Sequence, residues 1–230
     1  MGKRTISRIE KIIVPDAGSP SGERIIGFDT FYESGKYSHS RMLFGARSLR
    51  LYDREGGERE IPFDPAIEEI DIYHLQYGIP VSDRHGCFFI GSWSAKGLWC
   101  CDLHSGKIRW NYRLKHACSV FLYEEYLVCA FQEIGLRKLS YAGEELAKYP
   151  MASLEDFCSL DGAYVFAGPC RGGWCILDTE TMEMHRKIKA KELCQEGRNL
   201  IILDTEGTAR RFILRGFEDE EPVEREIALE

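Results

Sequence analysis

The sequence lacks an apolar run of the roughly 18 residues that crossing a bilayer requires. Its first residues, MGKRTISRIEKIIV, lack the apolar core of roughly 7 to 15 residues found in secretory signals. Ile6 stands where N-myristoylation expects Ser or Thr. These absences predict a cytoplasmic protein with no membrane partner.

Cysteine pairs with metal-binding spacing are also missing. The chain has nine cysteines, an odd number, and most lie in apolar runs such as YLVCAF and GWCILD. No CxxC pair occurs, and the vicinal Cys100 and Cys101 would point to opposite faces of one strand. We therefore expect buried free thiols in a reducing compartment, and no metal site.

Catalytic signatures are absent as well. None of the six histidines has HxH or HExxH spacing, no serine lies in a GxSxG elbow, and Gly172-Gly173 lacks the lysine that phosphate cradling needs. The formal net charge is -7, with acid concentrated in FEDEEPVERE, which argues against sequence-independent nucleic-acid binding. The sequence favours a non-enzymatic protein without a cofactor, whose partner is a protein and, given the net charge, a basic one.

What the sequence does contain is a repeat. Three glycines are each 38 residues apart, and a corner residue follows each of them by five positions: Gly97 and Asp102, Gly135 and Ser140, Gly173 and Asp178. Two looser copies flank these three. Every copy holds short β-branched and aromatic runs bounded by Gly, Asp and Ser, too short for helices. Because four such strands make one propeller blade, the repeat predicts an all-β, five-bladed β-propeller of four-stranded antiparallel blades.

We expect one propeller domain over residues 1–230. Its repeats fall at approximately 34–64, 66–115, 116–151, 152–190 and 191–230, and residues 1–33 supply a closing strand and a first strand. The N-terminal strand, RTISRIEKIIVP, is predicted to pair with the last blade, whose own fourth strand comes from PVEREIAL. That pairing would close the ring and leave no unmatched sheet edge.

The stretch GLWCCDLHSGKIRW, residues 97–110, predicts the third and fourth strands of one blade. In the hairpin between them, the Asp102 side chain would accept hydrogen bonds from backbone N–H groups while Gly106 takes a positive φ. Trp110 would then pack between blades. The same corner position in other copies is held by Asp53 and Asp178, which favours a structural role over a catalytic one.

Residues 90–110 also carry a strand that ends in Gly, an Asp-x-x-Ser-Gly-Lys turn and a Trp, and GGWCILDTET matches this pattern in part. The pattern resembles the repeat of quinoprotein-like (PQQ-like or WD40-like) β-propellers. The resemblance implies the fold, and many relatives of this shape are scaffolds that hold partners on one face. Quinone-dependent members are secreted, larger and have more blades, so the resemblance implies no quinone cofactor here.

Alternating strand direction places the second-to-third and fourth-to-first connections on one face. The second-to-third connections are ARS at 46–48, SWSAKG at 92–97, QEIG at 132–135, GPCRGG at 168–173 and DTEG at 204–207. Since loops on a rigid scaffold commonly bind partners, we select four partner-binding residues: Trp93, Arg171, His116 and Tyr149. The alternatives are that Trp93 caps a gap between blades and that Arg171 only pairs with a neighbouring Glu.

Two functions follow from this reading. The leading one is a cytosolic protein-binding scaffold, such as an immunity-type or regulatory protein that masks a basic surface. The alternative is a carbohydrate-active enzyme or lectin, in which Asp71, Asp156 and Glu192, near the starts of first strands, would ring the axis around a small-molecule or glycan ligand. Solvated strand starts are the simpler explanation of those carboxylates, and we favour it.

Overall fold

The computed structural model describes part of the chain, and every regular element in that part is a β-strand. The described residues are 5–15, 23–34, 42–52, 57–67, 80–91, 97–152, 154, 156–159, 164–168, 174–196, 199–204, 209–213 and 225–227. They contain no helix that is long and apolar enough to cross a membrane.

The strands of the described residues form five four-stranded sheets, each built from strands consecutive in the chain. The first sheet contains β1 (Thr5–Pro15), β2 (Glu23–Ser34), β3 (Met42–Tyr52) and β4 (Glu58–Pro62). The second contains β5 (Val81–Ser82), β6 (Cys87–Gly91), β7 (Leu98–Asp102) and β8 (Ile108–Tyr112). The third contains β9 (Ala117–Leu122), β10 (Tyr126–Phe131), β11 (Gly135–Ser140) and β12 (Glu145–Pro150).

The last two sheets follow the same order. The fourth contains β13 (Asp156–Ser159), β14 (Tyr164–Gly168), β15 (Trp174–Asp178) and β16 (Glu183–Ile188). The fifth contains β17 (Ala190–Glu196), β18 (Asn199–Asp204), β19 (Ala209–Ile213) and β20 (Arg225–Ile227). The three copies that the glycine spacing places in register are therefore the second, third and fourth sheets, and the predicted all-β class is confirmed.

Strand position within a sheet explains the sequence of each strand. β6 is buried at all five positions and β7 at four, whereas every position of β8 is intermediate or exposed. β12 has no buried position either, although its neighbour β11 has three. The second and third strands are therefore continuous apolar runs such as CFFIG, and the fourth strands alternate polar and apolar residues because one side faces water.

The N-terminal strand does not occupy its predicted place. β1 pairs antiparallel with β2 along its whole length, from Thr5 opposite Glu33 to Pro15 opposite Glu23. It is the first strand of the first sheet, and the fifth sheet is completed by β20, from the predicted PVEREIAL segment. The prediction that β1 joins the last sheet is wrong because it assumed that residues 34–64 already held enough strands.

The number of strands in residues 34–64 was predicted one too high because residues 46–48 were expected to connect two strands. These residues lie inside β3, which pairs with β2 from Met42 opposite Ser34 to Leu51 opposite Ile26. β3 carries the irregularity, because its residues Arg47 and Ser48 lie opposite the single residue Asp29 of β2 at the register shift between Phe28 and Thr30. One long strand therefore stands where the sequence suggested two short ones, and β1 supplies the missing fourth strand.

The fold divides into two compact units. The first comprises residues 1–127 and 141–143, and the second comprises residues 128–140 and 144–230. The core of the first unit packs buried side chains of the first two sheets together, among them Leu49, Leu51, Ile61, Phe88, Ile90, Trp99 and Cys101. In the second unit the buried apolar residues include Leu136, Leu139, Ala167, Ile176, Leu177 and Ile188.

Candidate functional site

The hairpin between β7 and β8 uses the side chain of Asp102 as predicted. Its Oδ1 accepts hydrogen bonds from the backbone N–H groups of His104 (3.0 Å) and Ser105 (2.8 Å) and from the Ser105 hydroxyl (2.9 Å). Gly106 has a φ of 71°. The expected turn, with a carboxylate cap and a left-handed glycine, is confirmed.

The other carboxylate oxygen of Asp102 binds Arg109, whose Nη2 lies 2.8 Å away. Two hydrogen bonds to the carboxylate hold the pKa of Asp102 well below its usual range: the one from Arg109 has the larger effect, and the one from the backbone N–H of Ser105 adds to it. Arg109 also donates to the carbonyl oxygens of His85 and Gly86, each at 2.7 Å. One guanidinium thus ties the β5–β6 turn to the β7–β8 turn.

The other two corner residues cap their own hairpins. Asp178 Oδ1 accepts from the N–H groups of Glu180 (2.7 Å) and Thr181 (3.0 Å), and Met182 takes the positive φ, 58°. The Ser140 hydroxyl accepts from the N–H of Glu144 (3.2 Å). In each of the three hairpins a register shift precedes the corner residue, so the three copies share a bulge as well as a turn.

Aromatic residues connect neighbouring hairpin turns of the first unit through hydrogen bonds and ring stacking. The Trp110 Nε1–H donates to the carbonyl oxygen of Tyr141 at 2.9 Å. The Tyr141 ring stacks on His85 with centroids 3.5 Å apart, and its hydroxyl donates to the carbonyl oxygen of Tyr123 at 2.7 Å. The predicted packing of Trp110 against a neighbouring sheet is therefore confirmed. These hairpin turns use their polar groups on one another, which is a structural role.

The opposite end of the second sheet carries the connections selected from the sequence. A Cβ at Gly97 would overlap the carbonyl oxygen of Tyr112 and lie 2.7 Å from the nitrogen of Leu114. A Cβ at Gly91 would lie 3.0 Å from the carbonyl oxygen of Ala117. Both ends of the second-to-third connection therefore lie against the fourth-to-first connection. We call residues 91, 97 and 112–117 the connection surface of the second sheet.

The second unit shows the same arrangement in its own residues. The N–H of Met151 donates to the carbonyl oxygen of Ile134 at 3.1 Å, and the N–H of Glu133 to that of Leu154 at 3.4 Å. Gly135 has a φ of 114°, and a Cβ there would lie 2.6 Å from the nitrogen of Met151. Gly97 and Gly135 thus mark the point where these two connections touch, which explains why glycine recurs at this position in these two copies.

Of the four predicted partner-binding residues, the structure describes His116 and Tyr149. His116 lies on the connection surface, directly before β9, half-buried and with a φ of 62°. Tyr149 is half-buried inside β12, opposite Leu136, and not in the connection where the sequence placed it. Trp93 and Arg171 lie outside the described residues. The segments that contain them begin at Gly91 and Gly168, where β6 and β14 end.

Strand β8 ends in a tight bend that the sequence did not reveal. The N–H of Leu114 donates to the carbonyl oxygen of Tyr112 at 3.0 Å, which makes Arg113 the central residue of a γ-turn. Arg113 and Lys115 are exposed. Within the described part of the chain, neither side chain forms an ion pair or a hydrogen bond. The run RLKH carries no motif, so only the backbone geometry identifies these residues.

Two of the three carboxylate residues of the carbohydrate hypothesis lie in described strands. Asp156 is the first residue of β13, as predicted, and Glu192 lies within β17. Asp71 lies outside the described residues. In the described residues, no group of three or more His, Cys, Asp and Glu side chains is placed to hold a metal ion.

Five of the cysteines have described side chains, and all five are buried thiols outside any disulfide: Cys87, Cys100, Cys101, Cys129 and Cys175. Hydrogen bonding to Cys87 and burial raise the pKa of Cys100 far above its usual range. Burial, with the nearby charge of Asp64, raises the pKa of Cys101 to about 12. The vicinal cysteines therefore stay protonated, which suits packing and not nucleophilic chemistry.

The comparisons with known proteins add the fold class. No protein-family model matches the chain, and no curated protein matches it. Among solved structures, it is similar to BamB from Moraxella catarrhalis, a PQQ-like β-propeller, with a TM-score of 0.51 and 12% identity over 92% of this chain and 76% of that chain.

Two further solved structures give the same result. Sqt1 from Saccharomyces cerevisiae, a WD40 β-propeller, has a TM-score of 0.51 and 12% identity over 89% of this chain and 72% of that one. The computationally designed protein Ika8 has a TM-score of 0.53 and 11% identity over 87% and 70%. The fold is that of a β-propeller. At such identities the likeness carries the fold and no function.

Proposed function

We propose that this protein is a non-enzymatic β-propeller that binds a protein partner through its second-to-third and fourth-to-first connections. The observation that carries the proposal is the packing of these connections on one another. Gly97 lies against Tyr112 and Leu114, and Met151 donates to Ile134. Loops held by backbone contacts present their side chains in fixed positions, so little entropy is lost when a partner binds.

The chemistry of the hairpin turns supports the same assignment. The polar groups of the hairpin turns form hydrogen bonds within the turns or to neighbouring turns, as those of Asp102, Arg109 and Tyr141 do. At the other end of the second sheet, by contrast, Arg113 and Lys115 are exposed. A surface with exposed cations on a fixed backbone suits recognition of another macromolecule. The proposal includes the predicted contacts of Trp93, Arg171, His116 and Tyr149 with that partner.

The test compares the wild-type protein with a Trp93→Ala, Arg171→Ala double variant as bait in native lysate. A Lys107→Ala variant, altered at an exposed hairpin residue, serves as the matched control. A protein recovered by the wild type and the control but lost by the double variant is identified by mass spectrometry and rebound in purified form. Equal recovery by all three baits would reject the assignment of this surface.

The proposal includes one closed ring of five blades and a location in the cytoplasm. The ring is supported by the five consecutive four-stranded sheets and the β-propeller neighbours. A ring of this chain length should scatter X-rays with a radius of gyration of about 17 Å. A value above about 25 Å would show an open arrangement. The location is supported by the five buried thiols outside any disulfide among the described residues, and recovery of the protein in a secreted fraction would contradict it.

A further inference from the structure

The segment that leaves β8 has two fixed bends in four residues. The γ-turn centred on Arg113 is closed by the 3.0 Å hydrogen bond from Leu114 to Tyr112. His116 then adopts a left-handed backbone, which a non-glycine residue takes only at some energetic cost. Gly97 packs against this segment from the other connection. The backbone that carries Arg113 and Lys115 is therefore held in place.

Arg113, one of the two cations on this segment, differs from the arginines elsewhere in the described chain whose contacts are known. Within the described residues, Arg113 has no ion pair or hydrogen bond. Arg50, Arg84 and Arg109, by contrast, each bind a carboxylate. The chain has 37 acidic and 30 basic residues, so carboxylates are in excess. An exposed arginine left unpaired in an acidic protein, two residues from an unpaired lysine, is available to a partner.

We infer that Arg113 and Lys115 bind an acidic segment, rich in Asp or Glu, of a protein partner. The guanidinium of Arg113 can accept a carboxylate in bidentate geometry, and the Lys115 ammonium adds a second charge-assisted hydrogen bond. This inference rests on the proposed function and names the chemistry of the partner. It replaces the basic partner that the net charge suggested, because the charge at the connection surface is opposite to that of the whole chain.

A nucleic acid is the less favoured occupant. Phosphate backbones are bound by extended basic faces, and each added nucleotide would bring more negative charge towards a chain of net charge -7. A short acidic peptide segment needs only a local pair of cations. Its binding should weaken as salt rises, since the pair is exposed.

The experiment measures the fluorescence anisotropy of a labelled peptide of six glutamates alternating with glycines, at low and at physiological salt. The full-length wild type is compared with an Arg113→Glu, Lys115→Glu variant and an Arg113→Gln, Lys115→Gln variant. The matched control is Lys107→Glu, Lys148→Glu, which makes the same charge change at two other exposed lysines. We expect binding weakened at least about tenfold by the Glu variant, less by the Gln variant and little by the control, because like charges repel at contact range.

Three outcomes would overturn the inference. These are equal peptide binding by the Glu variant and the wild type, tighter binding of a lysine peptide of the same length, and tighter Arg113-dependent binding of a single-stranded oligonucleotide of equal charge. Thermal melting checks that each variant is folded. If the acidic peptide fails while the Trp93→Ala, Arg171→Ala variant still loses its partner, the inference fails and the proposed function stands.

Discussion

At the scale of single residues, the backbone explains the glycine repeat. Gly97 has a φ of 81°, in the left-handed region, and a Cβ there would overlap the carbonyl oxygen of Tyr112. Gly91, at the other end of the same connection, does not have a positive φ and would place its Cβ 3.0 Å from Ala117. The two glycines therefore differ in both strain and space, although they lie at one end of one sheet.

This difference predicts unequal effects of alanine at the two glycines. Gly97→Ala should lower the free energy of unfolding by about 2 to 5 kcal/mol, since a left-handed alanine and a steric clash with backbone add. Gly91→Ala should cost clearly less, because only the tight contact applies. Urea unfolding of both variants measures the difference. Equal losses would contradict the assignment of the repeat to the left-handed backbone.

Asp102 predicts a dependence of stability on pH. Its pKa is lowered in the folded protein, first by Arg109 and then by Ser105. As the pH falls below the unfolded-state pKa near 4, the unfolded chain binds a proton before the folded chain does, so the stabilisation is present above that pKa and is lost in acid. Asp102→Asn should lower the free energy of unfolding at pH 7 by about 1 to 3 kcal/mol and flatten its decline between about pH 5 and pH 2.

Asp178 provides the control for this prediction. It caps an equivalent hairpin through the N–H groups of Glu180 and Thr181, but among the described residues it has no arginine partner. Asp178→Asn should therefore remove a turn cap without removing an ion pair. Denaturant unfolding at several pH values compares the two variants. An equally flattened acid profile in both would show that the Asp102–Arg109 pair is not the cause.

At the scale of strands and hairpins, the turns are joined by a few long side chains. Trp110 extends from β8 to the β11–β12 turn, where its ring occupies the space beside Gly143 and its Nε1–H binds Tyr141. Trp110→Phe should lower the free energy of unfolding by about 1 kcal/mol through the lost hydrogen bond, and Trp110→Ala by about 3 kcal/mol. Leu146→Ala on β12, whose side chain is 52% exposed, should change it by less than about 0.5 kcal/mol. Thermal and urea unfolding distinguish these values, and a loss for Leu146→Ala equal to that for Trp110→Ala would contradict them.

The elements also show why sequence reasoning succeeded in some places and failed in others. The Asp102 turn was predictable because its chemistry is local: a carboxylate, a serine and a glycine fix one hairpin. The left-handed Met182 and His116 were not predictable, since Met rarely adopts that backbone and His adopts it too seldom for its presence to indicate it. The stacking of His85 on Tyr141 joins two residues that are far apart in sequence and lie in different sheets, so no local sequence pattern predicts it.

The same distinction applies to the candidate site. The meeting of the second-to-third and fourth-to-first connections followed from strand direction alone, and the contacts at Gly97 and Met151 agree with it. The part played by Arg113 did not, because a charged residue after a strand is ordinary in sequence. Its significance comes from the γ-turn and from the pairing of other arginines, which only three-dimensional contacts reveal.

At the scale of the whole molecule, the N-terminal strand is the element whose loss should matter most. β1 pairs with β2 through eleven residues. Deleting residues 1–15 removes that ladder and leaves β2 with an unpaired edge. Deleting residues 1–4 removes nothing from β1 and is the matched control. We expect the longer deletion to lower Tm by at least about 10 °C, since a loss of about 3 kcal/mol or more shifts a chain of this size by about 2 to 4 °C per kcal/mol. Differential scanning calorimetry measures both variants, and identical melting of the two would show that the first sheet is stable without its first strand.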